Sequence, residues 1–153
     1  MPEAHAAPTT HAGHASENLD QAWTMLQASR ICMLVSRDGD QLHARPMAVQ
    51  ADPAHQALWF IIALSGHKDD EIERDNRVCV VVEDAEKGQF LSLSGNGEVV
   101  TDRKIIEARW TSEANDWFAG GSSDPDAGLL KVTPTGAKLW QTPPVKEVAR
   151  QVH

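Results

Sequence analysis

The sequence predicts an α+β protein, mainly β, built on a split β-barrel of six to seven antiparallel strands with peripheral helices. Three observations carry this. Short apolar or alternating runs recur at roughly eight- to twelve-residue intervals, the spacing of a sandwich or barrel. Turn signals at Asp38-Gly39, Asp52-Pro53 and Lys87-Gly88 separate those runs. Helical periodicity is confined to the start of the chain, one crossover and a late segment.

A chain of 153 residues suits a single domain with a proper core. Residues 1–15, rich in Ala, Pro, Thr and His without apolar periodicity, are expected to form a disordered arm. His11-x-x-His14 has no Cys near it and only Glu3 as an acidic residue in the arm, so no metal site is expected. The domain proper is placed at residues 16–141, followed by a tail at 142–153.

The first helix is expected to start at Ser16 or Asn18, good caps, with Gln21 able to close a capping box on Asn18. Leu19, Trp23 and Leu26 then share one face. Ile31–Ser36 reads as a nearly continuous apolar strand, turned at Asp38-Gly39 because glycine accepts positive φ. The returning strand, Gln41–Gln50, alternates: His43, Arg45, Met47 and Val49 face one way, and Leu42, Ala44, Pro46 and Ala48 the other. Pro46 has no N–H for a ladder, so this strand needs a free edge or a bulge. A third strand covers Ala57–Leu64. A short helix over Lys68–Asp75, with Ile72 inward, leads to a strand at Val78–Glu83. Phe90–Ser94 alternates apolar groups with serines, and Gly95 and Gly97 should weaken the strand before Glu98–Thr101. Asp102 is a plausible cap for a helix through Trp110, with a second helical piece at Glu113–Phe118. Leu129–Val132 and Ala137–Gln141 read as two further strands joined by Thr133-Pro134-Thr135-Gly136.

The formal net charge of −8 argues against nucleic-acid binding, which relies on a basic surface. Leu58–Leu64, the longest apolar run, is too short to span a bilayer, and no secretory signal is visible. Cys32 and Cys79 sit in apolar strands and are expected as buried free thiols, which suits the cytoplasm. No membrane partner is expected.

Leu42–Lys68 is the most informative stretch. Arg45 lies on one strand and Lys68 just past the end of the next, so both can converge on one anion. Apolar strand surface between them is long enough for a flat ring. A phosphate at one end and a ring at the other describe a flavin mononucleotide site. Arginine suits a phosphate bidentately, lysine adds a mobile point charge, and a helix start at Lys68 would add backbone N–H groups. Asp69, Asp70 and Glu71 compete electrostatically with that anion. Each residue also has an ordinary structural role: Arg45 as a surface ion-pair partner, Met47 as core, His43 as a neutral surface histidine, and Trp110, Trp117 and Trp140 as core or dimer interface.

These residues resemble the pyridoxamine 5'-phosphate oxidase-like split barrels, and within them the bacterial general stress protein branch. The resemblance is carried by His43-Ala44-Arg45-Pro46-Met47, Leu58-Trp59-Phe60, Lys68 with Glu71-Ile72, and Asn76-Arg77-Val78. It continues through Ser92-Leu93-Ser94-Gly95, Glu98, Asp102, Trp110, Trp117-Phe118-Ala119-Gly120-Gly121, Asp124-Pro125, Leu129-Leu130-Lys131-Val132 and Trp140. It covers about residues 16–141 and is specific through order and spacing together.

The resemblance implies FMN as cofactor, with FAD as the alternative, and a homodimer holding the flavin at its interface. It implies that Arg45 and Lys68 hold the phosphate and that Met47, Ile61 and Ile62 line the ring and ribityl chain. Ser92 and Gly95 would lie close by. Pro46, His67 and Trp110 complete the candidate cofactor-binding set, His67 as a third phosphate contact. Relatives carry a hydroxyl residue soon after the Trp-Phe pair, where this chain has Ile61 and Ile62, so only backbone groups there can bond the flavin. The basic substrate-gripping residues of true pyridoxamine 5'-phosphate oxidases are not recognisable near the C-terminus, so that reaction is not expected. No acid, base or nucleophile stands out as catalytic. Two functions follow: an oxidoreductase using bound FMN for hydride or electron transfer, or a non-catalytic flavin-binding or sensing stress protein.

Overall fold

Ile31–Asp38 (β1) and Gln41–Ala48 (β2) form the expected hairpin, with Gly39 at its tip at φ 63°. The structure, a computed structural model, describes residues 15–65 and 75–143. The expected N-terminal arm, the crossover helix with His67, Lys68 and Ile72, and nearly all of the tail lie outside those residues.

Five further strands complete one sheet: β3 (Gln50–Asp52), β4 (Ala57–Ala63), β5 (Arg77–Asp84), β6 (Gln89–Val100) and β7 (Ala127–Gln141). Their order is β2-β1-β5-β6-β7-β4-β3, and the paired neighbours are antiparallel. β2 and β3 occupy opposite edges of the sheet, yet only Val49 separates them in sequence. The chain therefore steps from one edge to the other at Val49, whose N–H donates to the carbonyl of Arg30 at 3.2 Å. The sheet curls until its edges meet through the covalent chain instead of a hydrogen-bond ladder, which is the split barrel. The strand expected over Gln41–Gln50 is thus two strands with different partners. Pro46 sits on edge strand β2 opposite Met33, and an edge strand is where a sheet tolerates a residue without an N–H.

Inward residues of every long strand meet α1 (Ala15–Ala28) in one core. Ala22, Trp23, Met25 and Leu26 from the helix pack with Cys32, Leu34, Leu58, Phe60, Val80, Leu91, Leu93 and Leu130. The helix starts one residue ahead of the expected Ser16 cap. A smaller cluster lies on the other side of β4 and β7, where Ala57, Trp59 and Leu129 pack against Ile106 of α2 (Arg103–Ala108). Asp102 caps α2 as expected, accepting from the N–H groups of Lys104 and Ile105 at 2.9 and 3.4 Å. The helix stops at Ala108 instead of reaching Trp110, and the expected helical piece at Glu113–Phe118 is a 3-10 turn over Ser112–Asp116.

The late strands also differ from expectation. Gly95 marks an irregularity, as expected, but within one strand that runs on through Gly97, and Thr133–Gly136 is strand where a loop was expected. β6 and β7 run through both places, with a register shift between Ser94 and Gly95 and with Gly95 opposite Pro134. A proline without an N–H and a glycine without a side chain meet where the ladder is already irregular. A Cβ on Gly95 would lie 2.7 Å from the Thr133 carbonyl oxygen and 2.8 Å from Val132 Cγ1. Gly95→Ala should therefore cost about 1–3 kcal/mol by overpacking, read as a lower urea midpoint with unchanged slope.

Both cysteines are free, but only Cys32 is fully buried. Val78, Val80 and Val82 take the inward positions of β5, which turns Cys79 to the outer face and leaves it half-buried. Burial pushes the Cys32 thiol up to about 12, so it stays protonated and inert near neutral pH. Ellman's reagent should titrate at most one thiol in the native protein, none in Cys79→Ser, and both once the wild type is unfolded.

Candidate functional site

Arg45 faces the barrel interior. Residues directly opposite in an antiparallel pair share a face, and His43, Arg45 and Met47 stand opposite Ser36, Leu34 and Cys32. Arg45 Nη1 donates to Ser36 Oγ at 2.9 Å. Ser36 is 2% exposed, so a hydroxyl on an otherwise apolar inner face meets a half-buried guanidinium. A guanidinium carries five N–H donors in a rigid fork, the shape that suits a phosphate. His43 lies 3.9 Å from the Asp38 carboxylate at the hairpin end.

The other sequence candidates fall in separate places. Met47 packs against the main core, and Pro46 faces outward. Ile62 is buried in the barrel core, whereas Ile61, on the opposite face of β4, joins Trp110 in the smaller cluster around Trp59. Ser92 lies on the outer face, its Oγ 3.4 Å from Cys79 Sγ. Gly95 is packed tightly against β7. His67 and Lys68 lie outside the described residues. Trp140 is half-buried, and Trp117, read as core or interface, is 83% exposed.

Sequence reasoning passed over a second cationic feature close to Arg45. A groove of ≈ 530 Å³ runs across the ends of β1, β5 and β6, and Ser36, the acceptor of Arg45, lines it. Arg77 grips Asp75 with two donors, Nε to Oδ1 at 2.9 Å and Nη2 to Oδ2 at 2.7 Å. Arg37 Nη1 lies 3.8 Å from the same carboxylate, and its Nε donates to the Gly39 carbonyl at 2.7 Å. The hydrogen bonds from Arg77 hold the Asp75 carboxyl well below the usual carboxylate range. The available signal was the Asp75-x-Arg77 spacing at a strand start, but nothing in sequence brings Arg37 to it.

A third polar group ties α2 to the barrel edge. Arg109 Nη2 donates to Asp52 Oδ2 at 2.6 Å, and its guanidinium carbon lies 4.4 Å from the centre of the Trp59 ring. His55 Nδ1 reaches Asp52 Oδ2 at 2.9 Å. Burial opposes ionisation of Asp52, but the bonds from His55 and Arg109 outweigh it and lower its pKa. A carboxylate whose pKa falls on folding stabilises above its unfolded value of about 3.9, and that contribution is lost as pH drops through the folded value. Asp52→Asn should cost about 2 kcal/mol near neutral pH, and the gap to wild type should close in acid-titrated urea melts.

Among the described residues no group of three His, Cys, Asp or Glu side chains could hold a metal ion. What the arrangement offers is anion binding by arginine beside apolar strand surface. Those donors fit the phosphate of a flavin.

The family model described as pyridoxamine 5'-phosphate oxidase like matches residues 17–151. Solved structures with the same fold include a general stress FMN/FAD-binding protein of Xanthomonas citri. It is 26% identical, with 84% of this chain and 91% of that one covered, at TM-score 0.72. A candidate general stress protein 26 of Jannaschia sp. CCS1 is 30% identical over 90% of this chain and 89% of its own, at TM-score 0.72. Protein bli-3 of Neurospora crassa is 23% identical over 127 residues, which are 76% of this chain and 61% of that protein.

Proposed function

The chain belongs to the pyridoxamine 5'-phosphate oxidase-like family, and on that footing we propose that it binds FMN and uses it as an oxidoreductase. The observation that carries this is Arg45, set on the barrel-facing side of β2 by strand alternation and bonded to buried Ser36. Arg45, His67 and Lys68 hold the phosphate. In this reading Met47 and Ile62, on the barrel side with Arg45, lie nearest the ring, whereas Ile61, Pro46, Ser92 and Trp110 face away from it. FMN, when bound, supplies hydride or single-electron transfer, and the protein supplies orientation and exclusion of water. FAD is the alternative cofactor.

The protein acts as a homodimer with the flavin between subunits. Ile31, Met33, Leu42 and Val81 support this, because the outer sheet face leaves them exposed, Leu42 by 73%. The compartment is the cytoplasm, which two free thiols suit. Among the described residues no helix is long and apolar enough to cross a membrane. Pyridoxamine 5'-phosphate itself is not the substrate.

A second reading, flavin binding without turnover, is favoured by the described polar groups near Arg45, which are engaged with one another: Ser36 accepts from Arg45, and His43 lies beside the Asp38 carboxylate. Mixing the flavin-loaded protein with reduced nicotinamide under air decides between them. Steady-state oxidation supports the oxidoreductase. Tight flavin binding with no turnover for any nicotinamide or deazaflavin donor supports the binding protein.

A further inference from the structure

We propose that His43 is a further phosphate contact of the flavin site, paired with Arg45 across the buried Ser36 hydroxyl. This role presupposes FMN bound through Arg45, as proposed above, and falls to a histidine outside the candidate cofactor set. Strand pairing sets the geometry. Ser36 stands directly opposite His43, while Arg45 stands opposite Leu34, the next inward pair. Arg45 Nη1 nevertheless donates to Ser36 Oγ at 2.9 Å, so its guanidinium leans along β2 toward His43. Side chains directly opposite in an antiparallel pair have Cβ atoms about 4.5–5.5 Å apart, so ring and fork both border the Ser36 hydroxyl. Toward the hairpin tip, His43 Nδ1 lies 3.9 Å from Asp38 Oδ2. The two side chains are 43% and 41% exposed, which leaves the ring within reach of a ligand from solvent.

The inner face of the hairpin therefore changes character in one step. Asp38, Ser36, His43 and Arg45 lie at its tip end, and Leu34, Cys32 and Met47 lie beyond. A phosphate monoester presents three strong acceptor oxygens, so a guanidinium fork leaves capacity for a further donor. A protonated imidazole donates from both nitrogens, Nδ1 toward Asp38 and Nε2 toward the anion. Among the described residues, Asp38 and Arg45 are the charged groups that the pairing of β1 with β2 sets around this ring. Asp38 and a bound phosphate favour the protonated form, and the Arg45 charge opposes it.

FMN and riboflavin titrations of the full-length wild type, His43→Leu and His43→Gln test this, followed by flavin fluorescence. His43→Leu should weaken FMN about tenfold or more, the effect of losing one charged hydrogen bond, and leave riboflavin unchanged. His43→Gln keeps an N–H donor without the charge and should recover part of the loss. The wild-type advantage over His43→Leu for FMN should grow from about pH 8 to about pH 6, the range in which histidine takes up its proton. Ionisation of the FMN phosphate acts on both proteins alike and cancels in that ratio. Equal FMN affinity in His43→Leu and wild type, equal losses of FMN and riboflavin, or an advantage that ignores pH overturns the proposal. If Arg45→Ala weakens FMN alone while His43→Leu changes nothing, the flavin reading stands and the His43 contact fails. Wild type that binds neither flavin overturns both.

Discussion

Replacing Arg45 and Lys68 together by alanine should weaken FMN binding by about 3 kcal/mol or more, roughly 150-fold or beyond. Hydrogen bonds to charged groups contribute about 1.5–3 kcal/mol each, and every 1.4 kcal/mol is tenfold in affinity. Arg45 carries the larger share, because its fork is held by Ser36 on a regular strand and little is lost in ordering it. Arg45→Lys should recover part of the loss, since it keeps the charge without the second prong. Riboflavin lacks the phosphate, so its affinity should hardly change in either variant. A variant that lost riboflavin and FMN equally would indicate a damaged barrel, not a missing phosphate contact. Equal FMN affinity in wild type and the double variant would remove both residues from the site.

Phe60→Ala should be the most damaging single change to stability, at about 3–5 kcal/mol. Phe60 is 0% exposed and sits on β4 opposite Leu130, within the core that every long strand and α1 share. Its removal leaves a cavity that strands held on both sides cannot close. A domain of this size is stable by only about 5–15 kcal/mol, so the melting temperature should fall by roughly 10–20 °C in flavin-free protein. Flavin must be absent, because a ligand bound only to the native state masks part of the loss. Phe60→Leu should recover most of the stability. Trp117→Ala is the internal control: the same kind of truncation at an 83% exposed ring should change stability within about 0.5 kcal/mol. Comparable losses at Phe60 and Trp117 would contradict the placement of the core.

Strand faces were legible because period-two alternation records burial directly. His43, Arg45 and Met47 were separated correctly from Leu42, Ala44 and Pro46, and the burial pattern of β2 follows that division. The step at Val49 was not legible, because alternation runs through it unbroken and β3 is only three residues long. Judged each on its own segment, Gly95 reads as a weak point in its strand and Pro134 as part of a loop. Only the pairing of β6 with β7 shows that they face one another and share one irregularity. The Arg37–Asp75–Arg77 cluster was invisible for a related reason: β1 and β5 are neighbours in the sheet but far apart in sequence, with the hairpin, β3 and β4 between them. Trp117, which reads as core or dimer interface, is not core, because its 3-10 turn directs the neighbouring Phe118 inward instead.

The spectrum of the purified protein, dialysed after incubation with excess FMN, bears most directly on the whole account. A barrel that presents Arg45 to a phosphoryl group should stay yellow, hold close to one FMN per chain, and quench the fluorescence of added FMN until that ratio is reached. A colourless protein that leaves FMN fluorescence untouched at every concentration would contradict it.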